Sequence, residues 1–326
     1  MKVLYLGGTG EISQACVDES LARGHAVTLF NRGRREAPPE GVELISGDLR
    51  DQAKYAELAE RGFDVVCQFL AFDTDAVARD VALFSGQCAQ YVFISTASAY
   101  QKPHAGGLVT EDTPLGNPFW AYSRKKADCE AFLTAAHAEG KLPVTIVRPS
   151  HTYRTRFPST VIDGDHLAWR LLRDKPVPVH DDGESLWTLT HSIDFARAFV
   201  RLLGDPAAWG QTLHITSDEA LSWNAILAAV AAHLGKRAEI FPVPLAALLE
   251  HRPEWEGPLR GDKANSMRFD NRRLREVIGP WEAELSLAEG LALVGAHVEA
   301  RLDAGYVPDA ETDALIDRLA ALRDRR

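Results

Sequence analysis

The first 150 residues alternate short, almost unbroken apolar runs with amphipathic stretches of helical length, and few folds accept that rhythm. Residues 3–6, 27–30, 43–46, 65–69, 92–95 and 144–147 read as strands. Most are apolar throughout, as strands covered on both faces must be. Helices are expected between them over 11–23, 52–61, 76–87 and 120–137. Regular strand–helix alternation with short connections predicts an α/β architecture, a doubly wound parallel sheet of the Rossmann type.

The rhythm breaks after Pro149. Loops rich in Pro, His and Arg (151–158, 175–184) precede a helix over 193–203, a strand over 212–216 and a helix over 222–234. Four prolines between 242 and 258 then lead to helices over 285–301 and 310–325. This pattern predicts a smaller, mixed α/β C-terminal substrate domain over 151–326, laid on the sheet domain of residues 1–150. Residues 188–216 are expected to pack back on the first domain. A chain of 326 residues can bury a core of that size.

Residues 3–13, Val-Leu-Tyr-Leu-Gly-Gly-Thr-Gly-Glu-Ile-Ser, place a glycine turn between the first strand and the first helix. Gly7 permits the tight turn, and Gly10 lets backbone N–H groups approach a pyrophosphate at the helix N-terminus. Ser13 stands where a third glycine is usual. Gly7, Thr9, Gly10, Glu11 and Ile12 are therefore assigned to a dinucleotide, NAD(P). An ordinary strand–helix turn is the alternative. The second strand ends in Asn31-Arg32-Gly33-Arg34-Arg35, with no acid to hold a ribose 2′-hydroxyl and with arginines that suit a 2′-phosphate. Asn31 and Arg32 join the cofactor set, and NADP is slightly favoured over NAD. A solvated basic turn would look the same. Asp48-Leu49, after the third strand, offers a carboxylate to the adenine amino group, unless Asp48 merely caps the next helix.

Tyr122 and Lys126 stand four apart on a predicted helix and so share a face. The strand before that helix ends in Ser95-Thr96-Ala97-Ser98, and reactive groups on open α/β sheets gather at the carboxyl ends of strands. A tyrosine is a poor base near neutrality. Bringing its pKa to about 7 requires roughly 4 kcal/mol of preferential phenolate stabilisation. Burial acts in the opposite direction, so the charge of Lys126 and of an oxidised nicotinamide must outweigh it. Thr96 is placed to orient the substrate oxygen while Tyr122 exchanges its proton.

Taken in order, these motifs resemble the extended (or atypical-extended) short-chain dehydrogenase/reductase family, NAD-dependent epimerase/dehydratase-like, which includes sugar-nucleotide epimerases and dehydratases. The similarity is carried by Gly7-Gly8-Thr9-Gly10, Gly47-Asp48-Leu49, Ile94-Ser95-Thr96 through Tyr100, Tyr122 to Lys126, and Val147-Arg148-Pro149-Ser150. His191 to Ala198 resembles the family's later His-Val-x-Asp-Val-Ala-x-Ala segment. The resemblance implies that Thr96, Tyr122 and Lys126 are catalytic. It also implies that Pro149 and Ser150 lie near the nicotinamide and that Leu70 and Ala71 border the cofactor. A homodimer built through two helices, one carrying Tyr122, is a further implication.

Two departures narrow the chemistry. Trp187 stands four residues before His191, where relatives acting on nucleotide sugars commonly carry an arginine for the diphosphate. Indole cannot neutralise phosphate, although it can stack on a ring or fill a core. Ala97-Ser98 follows Thr96 where dehydratases carry an Asp-Glu pair, which disfavours dehydration. Ser98, His151, Tyr153, Trp187 and His191 are the expected substrate contacts. Four histidines (104, 151, 180, 191) lack ligand spacing, so no metal is expected.

The expectation is an epimerase or oxidoreductase acting on a secondary alcohol or ketone of a sugar-like or polyol-like molecule. A net NADPH-dependent ketone reductase is the alternative within enzymes. A cofactor-sensing or RNA-associated scaffold is the alternative outside them. A formal charge of −10 opposes a nucleic-acid partner. No leader precedes the first strand, no apolar run approaches the ~20 residues needed to span a bilayer, and the cysteines form no CxxC pair. A cytoplasmic protein with no membrane partner is expected.

Overall fold

The computed structural model describes residues 1–33, 38–104 and 106–323. Seven strands form one sheet: β1 (Lys2–Leu6), β2 (Ala26–Asn31), β3 (Glu43–Ser46), β4 (Val65–Gln68), β5 (Gln90–Ile94), β6 (Val144–Pro149) and β7 (Thr212–Ile215). Their order is β3-β2-β1-β4-β5-β6-β7, and every neighbouring pair is parallel. Winding reverses between β1 and β4. Neither crossover there covers the carboxyl ends of these two strands, which leaves a crevice for a ligand.

The helices are α1 (Ser13–Ala22), α2 (Gln52–Ala59), α3 (Thr74–Phe84), α4 (Ala121–Ala138), α5 (Gly164–Leu172), α6 (Ser192–Leu202), α7 (Trp223–His233), α8 (Leu245–His251), α9 (Arg272–Ile278), α10 (Leu287–Asp303) and α11 (Ala310–Arg323). The period-two geometry of β1 explains the layers. Val3 and Tyr5 point into a core shared with α1 and α6. Leu4 and Leu6 point to the other face, into a core shared with α2, α3 and α4. Cys16, Cys67 and Cys129 are buried, and all four cysteines are free thiols. The fold is the doubly wound parallel sheet that the apolar rhythm predicts.

A third core lies in the C-terminal part, where Trp223, Leu227 and Val230 of α7 meet Val294 and Val298 of α10 and Ile316 of α11. Short strand pairs frame it: residues Val177–His180 run parallel to Ile240–Val243, and Leu186–Trp187 run antiparallel to Leu221–Ser222. Between these segments, β7 lies beside β6 in the main sheet and α6 packs on α1. Three further helices, α5, α8 and α9, form where the sequence carries no clear signal of any element. The first helix begins at Ser13 instead of residue 11, because the Gly10 N–H donates to the Ser13 hydroxyl and holds Glu11 and Ile12 in a turn.

Candidate active site

The glycine turn follows β1 directly. Gly7 and Gly8 adopt φ of +118° and +93°, conformations that side chains strongly disfavour. A Cβ on Gly8 would sit 2.5 Å from Leu29 Cδ2. The turn opens into a cleft of about 950 Å³ whose wall includes Gly7, Thr9, Gly10, Glu11, Ile12, Arg32, Asp48, Leu49 and Leu70. Ser95 Oγ also belongs to this wall and is buried without a hydrogen-bond partner among the described residues. A close backbone turn, a long cleft and an unpaired hydroxyl fit a dinucleotide.

Several of these side chains are already engaged. Glu11 accepts from the Thr155 N–H (2.9 Å) and from the Thr155 hydroxyl, joining the turn to the C-terminal part across the cleft. Asn31 donates to Gly7 O (3.0 Å) and accepts from the Gly33 N–H (2.8 Å), stitching β2 to the turn. Arg34 and Arg35 lie outside the described residues. The Asp48 carboxylate accepts from the side chain and backbone N–H of Arg50, which hold its pKa well below the usual carboxylate range. Asp51, not Asp48, caps α2, because its carboxylate receives the Lys54 N–H. Ala71 is buried behind the wall; only its carbonyl takes part, as an acceptor.

That carbonyl receives Lys126 Nζ at 2.8 Å, and the Ile94 carbonyl receives it at 2.7 Å. Nζ also lies 4.9 and 4.5 Å from the ring centroids of Phe72 and Phe93. The ammonium is almost fully buried, and burial pushes its pKa down to about 8. Tyr122, one turn earlier on α4, stands beside Phe72 and Trp120. Burial raises its pKa, a hydrogen bond with Thr96 draws it back, and the negative charge of Asp262 raises it further. Thr96 Oγ1 accepts from the Ser98 N–H (3.2 Å) and pairs with Ser98 Oγ (3.0 Å), which in turn pairs with Ser123 Oγ (2.7 Å). The loop after β5 is thus fixed to α4 by hydroxyls.

A second cavity, of about 340 Å³, adjoins the first. Thr96, Tyr122, Pro149 and Ser150 line both. Ser98, His151 and Trp187 also belong to its wall, whereas Tyr153 and His191 do not. Tyr153 is buried edge-on against His191, and the His191 imidazole caps α6 by accepting from the Ile193 N–H. These two expected contacts are packing groups at the cavity's flank. Trp187 lines the cavity and also belongs to the third core, stacking on Trp223. Burial holds the His151 pKa down to about 3, so its ring is neutral. Trp120, Phe269, Met267 and Asp262 also line the wall and carry no sequence motif. Only proximity in the fold reveals them. Among the described residues, no group of three His, Cys, Asp or Glu could hold a metal ion. No helix there is long and apolar enough to cross a membrane.

The family profile described as "NAD dependent epimerase/dehydratase family" matches residues 3–215. The chain belongs to that family. It is an enzyme of the extended short-chain dehydrogenase type, as the motif order implies. A 2′-dehydrokanamycin reductase of Streptomyces kanamyceticus is 29% identical over 252 residues, 75% of this chain and 70% of that one. The chloroplast stem-loop binding protein of 41 kDa b of Arabidopsis thaliana is 25% identical over 310 residues, 89% of this chain and 77% of that one. Among solved structures, a dTDP-glucose 4,6-dehydratase of Bacillus anthracis in complex with NAD superposes with a TM-score of 0.75 at 19% identity, covering 93% of this chain and 98% of that one.

Proposed function

We propose that the protein is an NADP-preferring oxidoreductase that reduces a ketone of a sugar-like or polyol-like molecule to a secondary alcohol, and can reverse the step. One observation carries this reading: Thr96, Tyr122, Pro149 and Ser150 form a wall common to the dinucleotide cleft and the smaller cavity. A substrate carbonyl in the smaller cavity therefore lies against Tyr122 and Thr96 at the edge of the cofactor site. The nicotinamide, when bound, supplies or accepts a hydride at C4. Thr96 donates a hydrogen bond that orients the substrate oxygen. Tyr122 gives that oxygen its proton in reduction and removes it in oxidation. Lys126 places positive charge beside Tyr122 and lowers the cost of the phenolate.

The cofactor preference follows from the end of β2. β2 ends in Asn31, whose amide is engaged, and Arg32 lines the cleft near Asp48. Net reduction is favoured over epimerisation of a nucleotide sugar because no Lys or Arg lines the smaller cavity among the described residues. A diphosphate would find no counter-charge there. The 2′-dehydrokanamycin reductase similarity points the same way.

The test is turnover of a panel of ketosugars with NADPH and NADH, kanamycin-derived ketones included, followed by the loss of reduced nicotinamide. Tyr122→Phe is expected to lower kcat by ~10²–10⁴-fold while NADPH binding is kept. Activity that survives this change would refute the mechanism. Substrate interconversion on a retained cofactor, with no net change in reduced nicotinamide, would make the protein an epimerase.

A further inference from the structure

We propose that Asp262 anchors the substrate and that the sugar-like molecule it selects carries a protonated amine. The inference rests on reading the smaller cavity as the substrate site and adds the chemical class of its ligand. Asp262 lies on a single π-helical turn, Leu259–Lys263, a local winding often found at functional sites. This turn is held from several sides. Asn117 Nδ2 donates to Gly261 O (2.6 Å), while Ser185 Oγ (2.9 Å) and Trp223 Nε1 (3.1 Å) donate to Lys263 O. Asn265 Nδ2 donates to the Asp262 carbonyl at 3.2 Å. The backbone carrying the carboxylate is therefore fixed.

The carboxylate itself has no hydrogen bond or ion pair with any described residue. It is the one charged side chain on the cavity wall among them. Lys102 and Lys263 are its nearest counter-charges, yet their ammonium groups are held elsewhere. Lys102 Nζ is on Met267 Sδ (2.9 Å) and Lys263 Nζ on Thr160 O (3.3 Å), and neither residue lines the cavity. Asp262 is half-buried, and a carboxylate partly withdrawn from water with its acceptor sites open is an incomplete arrangement, because charge removed from water without a partner is costly. Burial accordingly pushes its pKa up to about 6 despite the two lysines.

An ammonium completes the site. It neutralises the charge and fills the acceptor positions with charge-assisted hydrogen bonds. Trp120 and Trp187 also line this wall, and aromatic rings near a cation favour it. A phosphate would be repelled by Asp262 and would find no Lys or Arg on the cavity wall among the described residues. A neutral hydroxyl could donate a hydrogen bond but would leave the charge uncompensated.

The test is calorimetric titration of the protein saturated with NADP⁺ with kanamycin and with its fully N-acetylated form. Wild type should bind the amine form about ten- to a hundred-fold tighter. Asp262→Asn should bring the two affinities together, and Asp262→Glu should keep part of the preference. The groups facing Asp262 are Tyr122, protonated throughout, and Lys102 and Lys263, so loss of the preference below pH about 6 reports Asp262 itself. Unchanged NADP⁺ binding shows that each variant is folded. No binding of kanamycin, equal affinity of wild type for both forms, or a preference that persists in Asp262→Asn overturns the inference. Tyr122→Phe leaves this binding preference intact, so a failure here is distinct from a failure of the proposed reduction.

Discussion

Lys126 is the residue on which opposing forces meet most directly. Two carbonyls and two aromatic rings hold its ammonium in place, yet burial brings its pKa down to about 8. An ammonium has three donors, and the Ala71 and Ile94 carbonyls take two, leaving one for the reaction. Reduction requires a protonated Tyr122 that becomes a phenolate beside a positive Lys126. Burial raises the Tyr122 pKa, so the lysine is the first of the pair to lose its proton as pH rises. The reductive kcat/KM is therefore expected to fall by roughly tenfold per unit once pH exceeds about 8. A pH–rate profile measured with NADPH checks this, and a plateau extending to pH about 10 would contradict it. At this scale the sequence could point to Tyr122, Lys126 and Thr96 because they are local: two share a helix face and the third lies two residues past the end of β5. Asp262 was illegible because nothing near it in the chain marks it; folding alone brings it opposite Tyr122.

The elements that carry these residues are fastened by buried charge. Arg148 of β6 donates to Glu130 of α4 through Nε (3.0 and 3.1 Å) and Nη2 (2.5 Å), and both side chains are nearly inaccessible. Its Nη1 donates to the Tyr100 hydroxyl and to Glu111 O. The arginine of the Val-Arg-Pro-Ser segment, which the sequence offers only as a point of resemblance, thus ties α4, the helix carrying Tyr122 and Lys126, to the sheet. Removing one partner leaves the other charge buried and unpaired. Glu130→Ala should cost about 3–5 kcal/mol in chemical denaturation and lower kcat by displacing α4. A loss under about 1 kcal/mol would show that the pair contributes little. Element by element, β1, β2, β4 and β5 could be read because parallel strands covered on both faces are largely apolar, while β3, an exposed edge strand, is marked only by Leu44 and Ile45. The helices α5, α8 and α9 could not. They span only 9, 7 and 7 residues, too few turns to establish a period against flanking prolines and charges.

For the molecule as a whole, the half after Pro149 is organised by contacts between distant segments. No local pattern could pair residues Val177–His180 with Ile240–Val243, because their register comes from the third core and not from a turn. The last helix shows the same dependence. Arg170 of α5 is fully buried and donates to Asp313 and to Asp317 Oδ1 (2.7 Å) on α11, while Lys175 Nζ reaches both carboxylates at 2.7 and 2.8 Å. His166 Nε2 adds a contact to Asp313 at 3.1 Å. Burial alone would raise the Asp313 pKa, but Lys175, His166 and Arg170 outweigh it and hold it down to about 2. A carboxyl whose pKa is lower folded than unfolded contributes stability above its unfolded value, near 3.8, and loses it as pH falls through the folded value. Docking of α11 should therefore weaken between pH about 4 and about 2, and its amides should lose hydrogen-exchange protection before those of the central sheet. Asp313→Asn should impose part of the same loss at neutral pH, by roughly 1–3 kcal/mol, since Arg170 keeps Asp317. If α11 and the sheet lose protection together at every pH, the helix is an inseparable part of one cooperative unit and the ion cluster does not govern its docking.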